Sequence, residues 1–200
     1  MKTTIISLHG VRASQGSNGW QNKLGEYIEK CGRTDINYVP YFYGWIPAFY
    51  STIPFISKYY VNKFRKYLYK NIYPKYGNNI CVVCHSFGTY VAFHALKDSF
   101  GCKALILFGG ILHCREDFDG IVSEKIESCE NFHSLEDEVA KYAPQGHCGF
   151  HGFRHKNTKS KKWRRHPYPN KKITNHRLFL PEHTEYFDNN RFSDILKLLS

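Results

Sequence analysis

Apolar positions along the chain recur with two different periods, and the places where the period changes mark out the elements. Thr3 to Leu8 is a β-branched, apolar run closed by His9-Gly10, which predicts a buried first strand. Trp20, Leu24, Tyr27, Ile28 and Cys31 recur at helical spacing, so Trp20 to Cys31 predicts a helix with Gly32 as its stop. Ile36 to Val39 predicts a short strand ended by Pro40. The aromatic stretch Tyr41 to Pro54 is punctuated by Gly and Pro and predicts a loop. Ile56, Tyr60, Phe64, Tyr67, Leu68 and Ile72 then put one apolar face on a helix from Phe55 to Ile72. Lys58, Lys63, Arg65, Lys66 and Lys70 lie mostly off that face.

The second half repeats the alternation. Ile80 to Cys84 predicts a strand, Thr89 to Leu96 a helix, and Ala104 to Phe108 a strand that ends at Gly109-Gly110. Ile121 to Ile126 predicts a helix, Cys129 to His133 a short strand before an acidic corner, and Phe187 to Leu199 a terminal amphipathic helix. No internal repeat is visible. Strands alternating with helices predict an α/β fold: a mostly parallel sheet covered on both faces.

Composition adds bounds. Two hundred residues, 42% hydrophobic and 16% aromatic, suit one globular domain spanning 1–200. The first ten residues carry too short an apolar run for a signal peptide, and no run approaches the roughly 18 residues of a membrane span. The expectation is a soluble, cytoplasmic protein, and seven scattered Cys suit a reducing compartment. Cys81 and Cys84 form a Cys-x-x-Cys, but within a strand they point to different faces and make a poor metal or redox pair. The net charge of +11 is local: the segment 139–181, read as a basic insertion or loop, holds eleven Lys or Arg and no acid, while the remainder carries seventeen of each sign.

The chemistry centres on Cys84-His85-Ser86-Phe87-Gly88, between a strand and a helix. A Ser at such a corner is lifted out of the sheet, and the amide that follows can help hold a developing oxyanion. The usual pattern is Gly-x-Ser-x-Gly, and Cys84 stands at the first Gly. A nucleophilic Ser needs a base and an acid that orients it, which follow such a corner in the order acid, then His. Asp137, after the strand ending near His133, is the acid candidate, with Asp117 and Asp119 in reserve. His183, before the last helix, is the base candidate, with His176 as its nearest competitor. His85 is read as structural and pointing away; His147, His151, His155 and His166 are read as surface residues of the basic segment. The oxyanion donors would be the amides of Phe87 and of Val11, which follows His9-Gly10.

Together these residues resemble the α/β-hydrolase superfamily across essentially the whole chain, and more narrowly its small serine esterase or lipase-like members. The resemblance rests on His9-Gly10, His85-Ser86-Phe87-Gly88-Thr89, Asp137-Glu138-Val139, Gly146 to Phe153 and His183-Thr184-Glu185-Tyr186-Phe187. It implies a three-layer fold in a minimal version without a large cap. It also implies Ser86 as nucleophile, Asp137 as orienting acid and His183 as general base, hydrolysing a carboxylic ester or thioester through an acyl-enzyme. That chemistry calls for no metal or cofactor, and its partner is a small-molecule or lipid-like ester.

Two stretches stay outside this scheme. Lys159 to Arg165 holds five cations around Trp163, and Arg154-Lys172 reads as a solvated loop or as a platform for an anionic partner, phospholipid or nucleic acid. The second function class is therefore a catalytically weak, hydrolase-like binding module docking through that segment. The aromatics of Tyr41 to Tyr60 read chiefly as core, with an acyl pocket or a membrane-interface contact as further uses.

Overall fold

The structure, a computed structural model, describes residues 2–11, 19–113, 116, 118–153, 155–156, 163–164, 171–180 and 182–199. Asp117, Arg154, His166 and most of Lys159 to Arg165 lie outside these residues. So do the side chains of Asp119 and His155, and with them most of the anionic platform read in Arg154-Lys172.

In chain order the elements are β1 (Thr3–Leu8), α1 (Trp20–Lys30), β2 (Ile36–Tyr41), a 3-10 turn (Ala48–Thr52), α2 (Pro54–Tyr67), a π turn (Leu68–Ile72), α3 (Tyr73–Tyr76), β3 (Ile80–His85) and α4 (Phe87–Lys97). They continue as β4 (Cys102–Phe108), α5 (Phe118–Glu124), β5 (Ile126–Ser134), α6 (Glu138–Lys141), α7 (Cys148–His151), β6 (His155–Lys156), β7 (Trp163–Arg164), β8 (Ile173–Leu178) and α8 (Asn189–Lys197). Six strands form one parallel sheet in the order β2-β1-β3-β4-β5-β8, and β6 pairs with β7 separately.

The two-residue period of the strands divides the core. Ile6, Leu8, Val82, Cys84, Leu105 and Leu107 face α2, α4 and α5 on one side. Ile5, Cys81, Val83, Ile106 and Phe108 face Leu24 and Ile28 of α1 and Ile195 and Leu196 of α8 on the other. Each such side chain, once buried, contributes about 1.5–3 kcal/mol of hydrophobic stabilisation. Cys81 and Cys84 thus lie on opposite faces, and burial pushes the Cys81 thiol up to about 12, far from a reactive thiolate. Among the described residues no His, Cys, Asp and Glu group can hold a metal, and no helix is long and apolar enough to cross a membrane.

Where elements differ from the sequence reading, the causes are local. β2 runs through Pro40 to Tyr41 because it is an edge strand, where a missing N–H need cost no ladder bond. The helix read as Phe55 to Ile72 widens into the π turn just before Pro74, which has no N–H to give the carbonyl four residues back and crowds it. The helix read as Ile121 to Ile126 starts earlier and stops at Glu124, and Ile126 opens β5. The segment 139–181 is not all loop: it holds α7 and the sheet strand β8. The polar run Thr174-Asn175-His176-Arg177 hid that strand, since it forms the other sheet edge.

Gly88 lets α4 approach β1 closely enough to set the corner after β3. A Cβ there would lie 2.6 Å from the His9 carbonyl oxygen and 2.8 Å from that of Leu8. Gly88→Ala is therefore expected to destabilise the chain by about 1–3 kcal/mol. A melt followed by circular dichroism should show the midpoint falling by about 2–4 °C per kcal/mol, and an unchanged midpoint would refute the contact.

Candidate active site

The parallel topology brings the C-terminal ends of β1, β3, β4 and β5 to one edge of the sheet, and the candidate residues gather there. Ser86 follows β3 directly with φ 53 and ψ −125. It is the one non-Gly residue at positive φ among the described residues. Its N–H donates to the Phe108 carbonyl at 3.0 Å. Its own carbonyl accepts from the Thr89 amide at 2.9 Å and the Thr89 hydroxyl at 2.6 Å. Thr89 Oγ1 accepts in turn from the Ile111 amide at 3.1 Å, so the corner is tied to the loop after β4. Cys84, where Gly is usual, fits as a small core residue whose Sγ reaches the Ile106 carbonyl at 3.5 Å.

Asp137 caps α6 and is fully buried. Its Oδ1 accepts from the Ala140 amide at 2.9 Å; Oδ2 accepts from His183 Nδ1 at 2.7 Å and from the Tyr186 hydroxyl at 3.0 Å. Burial alone would raise this carboxyl; the His183 hydrogen bond, reinforced by Ala140 and Tyr186, outweighs it and holds the group below its ordinary value. A carboxylate can only accept, so His183 Nδ1 carries a proton. The other ring nitrogen, Nε2, is buried and has no hydrogen-bond partner among the described residues. Asp137 and His183 are thus in direct contact. Ser86 shares a cavity with His183 but makes no hydrogen bond to that nitrogen.

That cavity, of ≈ 640 Å³, is walled by Ser86, His183, Val11 and the stacked pair Trp20–Phe187, whose centroids are 4.1 Å apart. A second lobe of ≈ 320 Å³ shares Ser86, Val11 and Val139 but not His183. Ile111, Tyr142, Ala143 and Pro144 line it. Val11 borders both lobes, and Phe87 opens α4, where the first amides have no intrahelical acceptor and the helix dipole is positive. Gly10 permits the approach of this loop: a Cβ there would lie 2.8 Å from Ser86 Cβ. His9 Nδ1 donates to the Gly10 carbonyl at 2.6 Å, and the Tyr43 hydroxyl donates to the His9 carbonyl, which pins the loop.

The structure corrects the reading of His85. Its ring does not point away; Nε2 donates to the His183 carbonyl at 2.9 Å and the two rings lie 4.6 Å apart, tilted by 36°. It remains a structural residue in the sense that it seats the His183 loop. His176 stands apart from the site, on the sheet edge, 2.7 Å from Glu130. His147 and His151 are half-buried with rings 5.2 Å apart rather than surface residues, because α7 packs on β5. The sequence pattern does not single out Tyr186 as a partner of Asp137. The signal was its place three residues after His183, which brings both into one turn.

Burial, and then the neighbouring His183, push His85 down to about 3; burial also lowers His9 and His94. Unfolded His titrates near 6.5, so below that pH the unfolded chain binds protons that the folded chain refuses. Stability should therefore fall as pH drops from about 6.5 towards 3. Urea titrations between pH 7 and 4.5 should show that fall. His85→Gln should reduce its slope by up to about 1.4 kcal/mol per pH unit, and an unaltered slope would contradict the assignment.

No family model and no curated protein matches the sequence. Solved structures do. The esterase PE8 has a TM-score of 0.62 at 14% identity, covering 99% of this chain and 91% of its own. The protein TT1662 from Thermus thermophilus has a TM-score of 0.62 at 12% identity, over 99% and 87%. The Pyrococcus furiosus esterase Pf2001 has a TM-score of 0.59 at 13% identity, over 100% and 84%. Each likeness covers 99% or more of this chain, and the chain has the α/β-hydrolase fold.

Proposed function

We propose that the protein is a serine hydrolase of ester-type bonds, with Ser86 as nucleophile, His183 as general base and Asp137 as the acid that orients it. The observation that carries this reading is the buried Asp137–His183 contact of 2.7 Å, with the far nitrogen of His183 unpartnered in the cavity where Ser86 stands at positive φ. The esterases among the structural neighbours agree with it.

Ser86 Oγ attacks the carbonyl carbon while its proton passes to His183 Nε2. The carbonyl oxygen becomes an oxyanion and is held by the amides of Phe87 and Val11, each worth about 3 kcal/mol of barrier. Asp137 stabilises the imidazolium that forms and keeps its proton on Nδ1. Collapse of the adduct breaks the bond to the leaving group, which takes the Nε2 proton. Water then attacks the acyl-enzyme, gives a proton to His183, and releases the acid as the proton returns to Ser86 Oγ. The group that receives a proton from His183 must lie beside it, so the leaving group belongs in the ≈ 640 Å³ lobe. The acyl chain belongs in the ≈ 320 Å³ lobe under Ile111, Ala143 and Pro144, about twice the apolar cavity that holds one benzene. A medium-length chain suits that space.

A fluorophosphonate probe is expected to label the wild type and not Ser86→Ala, and equal labelling of both would overturn the assignment. Asp137→Asn should lower kcat on a nitrophenyl ester by on the order of 10⁴. Ala143→Phe should leave kcat/KM on an acetate ester within about twofold and lower it on an octanoate ester by at least about tenfold, since each methylene left unburied costs about 0.8 kcal/mol. A uniform loss across chain lengths would contradict the lobe assignment.

A further inference from the structure

Six large apolar side chains stand exposed on the two segments that line the Ser86 cavity: Trp45, Tyr50, Phe55 and Tyr59 flank the lining residues Ala48, Ser51 and Thr52, and Val139 and Tyr142 themselves line the smaller lobe. Phe55 is 74% exposed, Tyr142 71% and Trp45 62%. The two segments face each other across the smaller lobe, with Ala48, Ser51 and Thr52 on one wall and Val139 and Tyr142 on the other. The Gln145 side chain donates to the Ser51 carbonyl and ties the walls together. Tyr59 packs edge-on against Tyr60 at 5.2 Å, and Tyr60 against Phe87 at 6.1 Å, so the aromatic rim reaches within two ring contacts of the residue after Ser86. Isolated surface hydrophobics need no explanation, but six of them on the two segments that line one cavity do.

Charge says what covers it. From Ile36 to Lys97 the chain holds seven Lys or Arg and no Asp or Glu. The solvent stripe of α2 reads Phe55, Lys58, Tyr59, Asn62, Lys63, Lys66, aromatic at the mouth and cationic behind it. Arg65 pairs with Asp98; Lys58, Lys63 and Lys66 have no ion-pair partner among the described residues. Glu138 is the acid nearest Val139 on the facing wall, and Lys141 offsets it at 3.9 Å. Trp and Tyr rings with cations beside them suit the boundary between water and acyl chains, where apolar area and attraction to anionic headgroups add.

We propose that this rim docks on an anionic lipid bilayer, setting the mouth of the cavity against the acyl chains. That it admits a lipid-borne ester from the bilayer rests on the hydrolase reading above; the docking itself does not.

The test uses the full chain with vesicles of phosphatidylcholine, with and without phosphatidylglycerol, in co-sedimentation. The wild type should bind the anionic vesicles at low salt and release from them as salt rises. Trp45→Ala with Phe55→Ser should weaken binding at least about tenfold. Lys58→Gln and Lys63→Gln should each weaken it about fivefold, the equivalent of about 1 kcal/mol per cation near an anionic surface. All variants should keep wild-type melting and hydrolysis of a water-soluble butyrate ester, while hydrolysis of a vesicle-borne ester falls in step with binding. Absence of wild-type binding at low salt would overturn the proposal. So would binding untouched by all these variants, or a rim whose loss abolishes only self-association or capture of a protein. Vesicle binding that follows this pattern in a chain inert to every ester would support the docking surface and defeat the hydrolase reading alone.

Discussion

Everything at the site depends on one backbone conformation that an L-residue adopts reluctantly. Ser86 sits at positive φ, a placement that costs roughly 1–3 kcal/mol and persists only where its surroundings over-determine it. Three hydrogen bonds do so here, one from Ser86 to β4 and two to Ser86 from Thr89. The sheet beneath is buried on both faces and cannot yield, and Gly88 lets α4 close down on β1. The result is a hydroxyl held at the open end of the sheet, between two lobes, with the first amide of a helix beside it.

A second constraint is a buried charge. Asp137 has no access to water, and an unsolvated carboxylate is tolerable only if its oxygens are fully engaged. Ala140, His183 and Tyr186 engage them, and each of those contacts also does positional work. The Ala140 bond starts α6, which carries Val139 and Tyr142 towards the smaller lobe. The Tyr186 bond closes the turn that presents His183. His85, kept neutral by burial, bonds the backbone of that same turn from the opposite side. The His183 ring is therefore positioned by its neighbours before any ligand arrives.

The site also links the core to the surface. The aromatics between Tyr41 and Tyr60 split by role along a few residues. Tyr41 and Tyr43 are buried, with Tyr43 bracing the His9 loop, whereas Trp45, Phe55 and Tyr59 are exposed. The segment before α2 and the segment after Asp137 both contribute walls of the cavity at Ser86.

Local pattern alone carried much of this. The periods of two and 3.6 located the main strands and helices, because burial against a parallel sheet imposes them on every inward residue. The strand-turn-helix around Ser86 and the order of Asp137 and His183 were legible for the same reason: chain order sets which strand ends can meet at one sheet edge. β8 was not legible, since an edge strand with polar side chains carries no burial signal. Nor was the direction of the His85 ring, the Tyr186 bond to Asp137, or the division of the cavity into two lobes. The first two are contacts between residues 98 and 49 positions apart, and the smaller lobe is lined from segments as distant as Val11 and Pro144; no local spacing encodes which side chains a packed sheet will bring within 3 Å of one another.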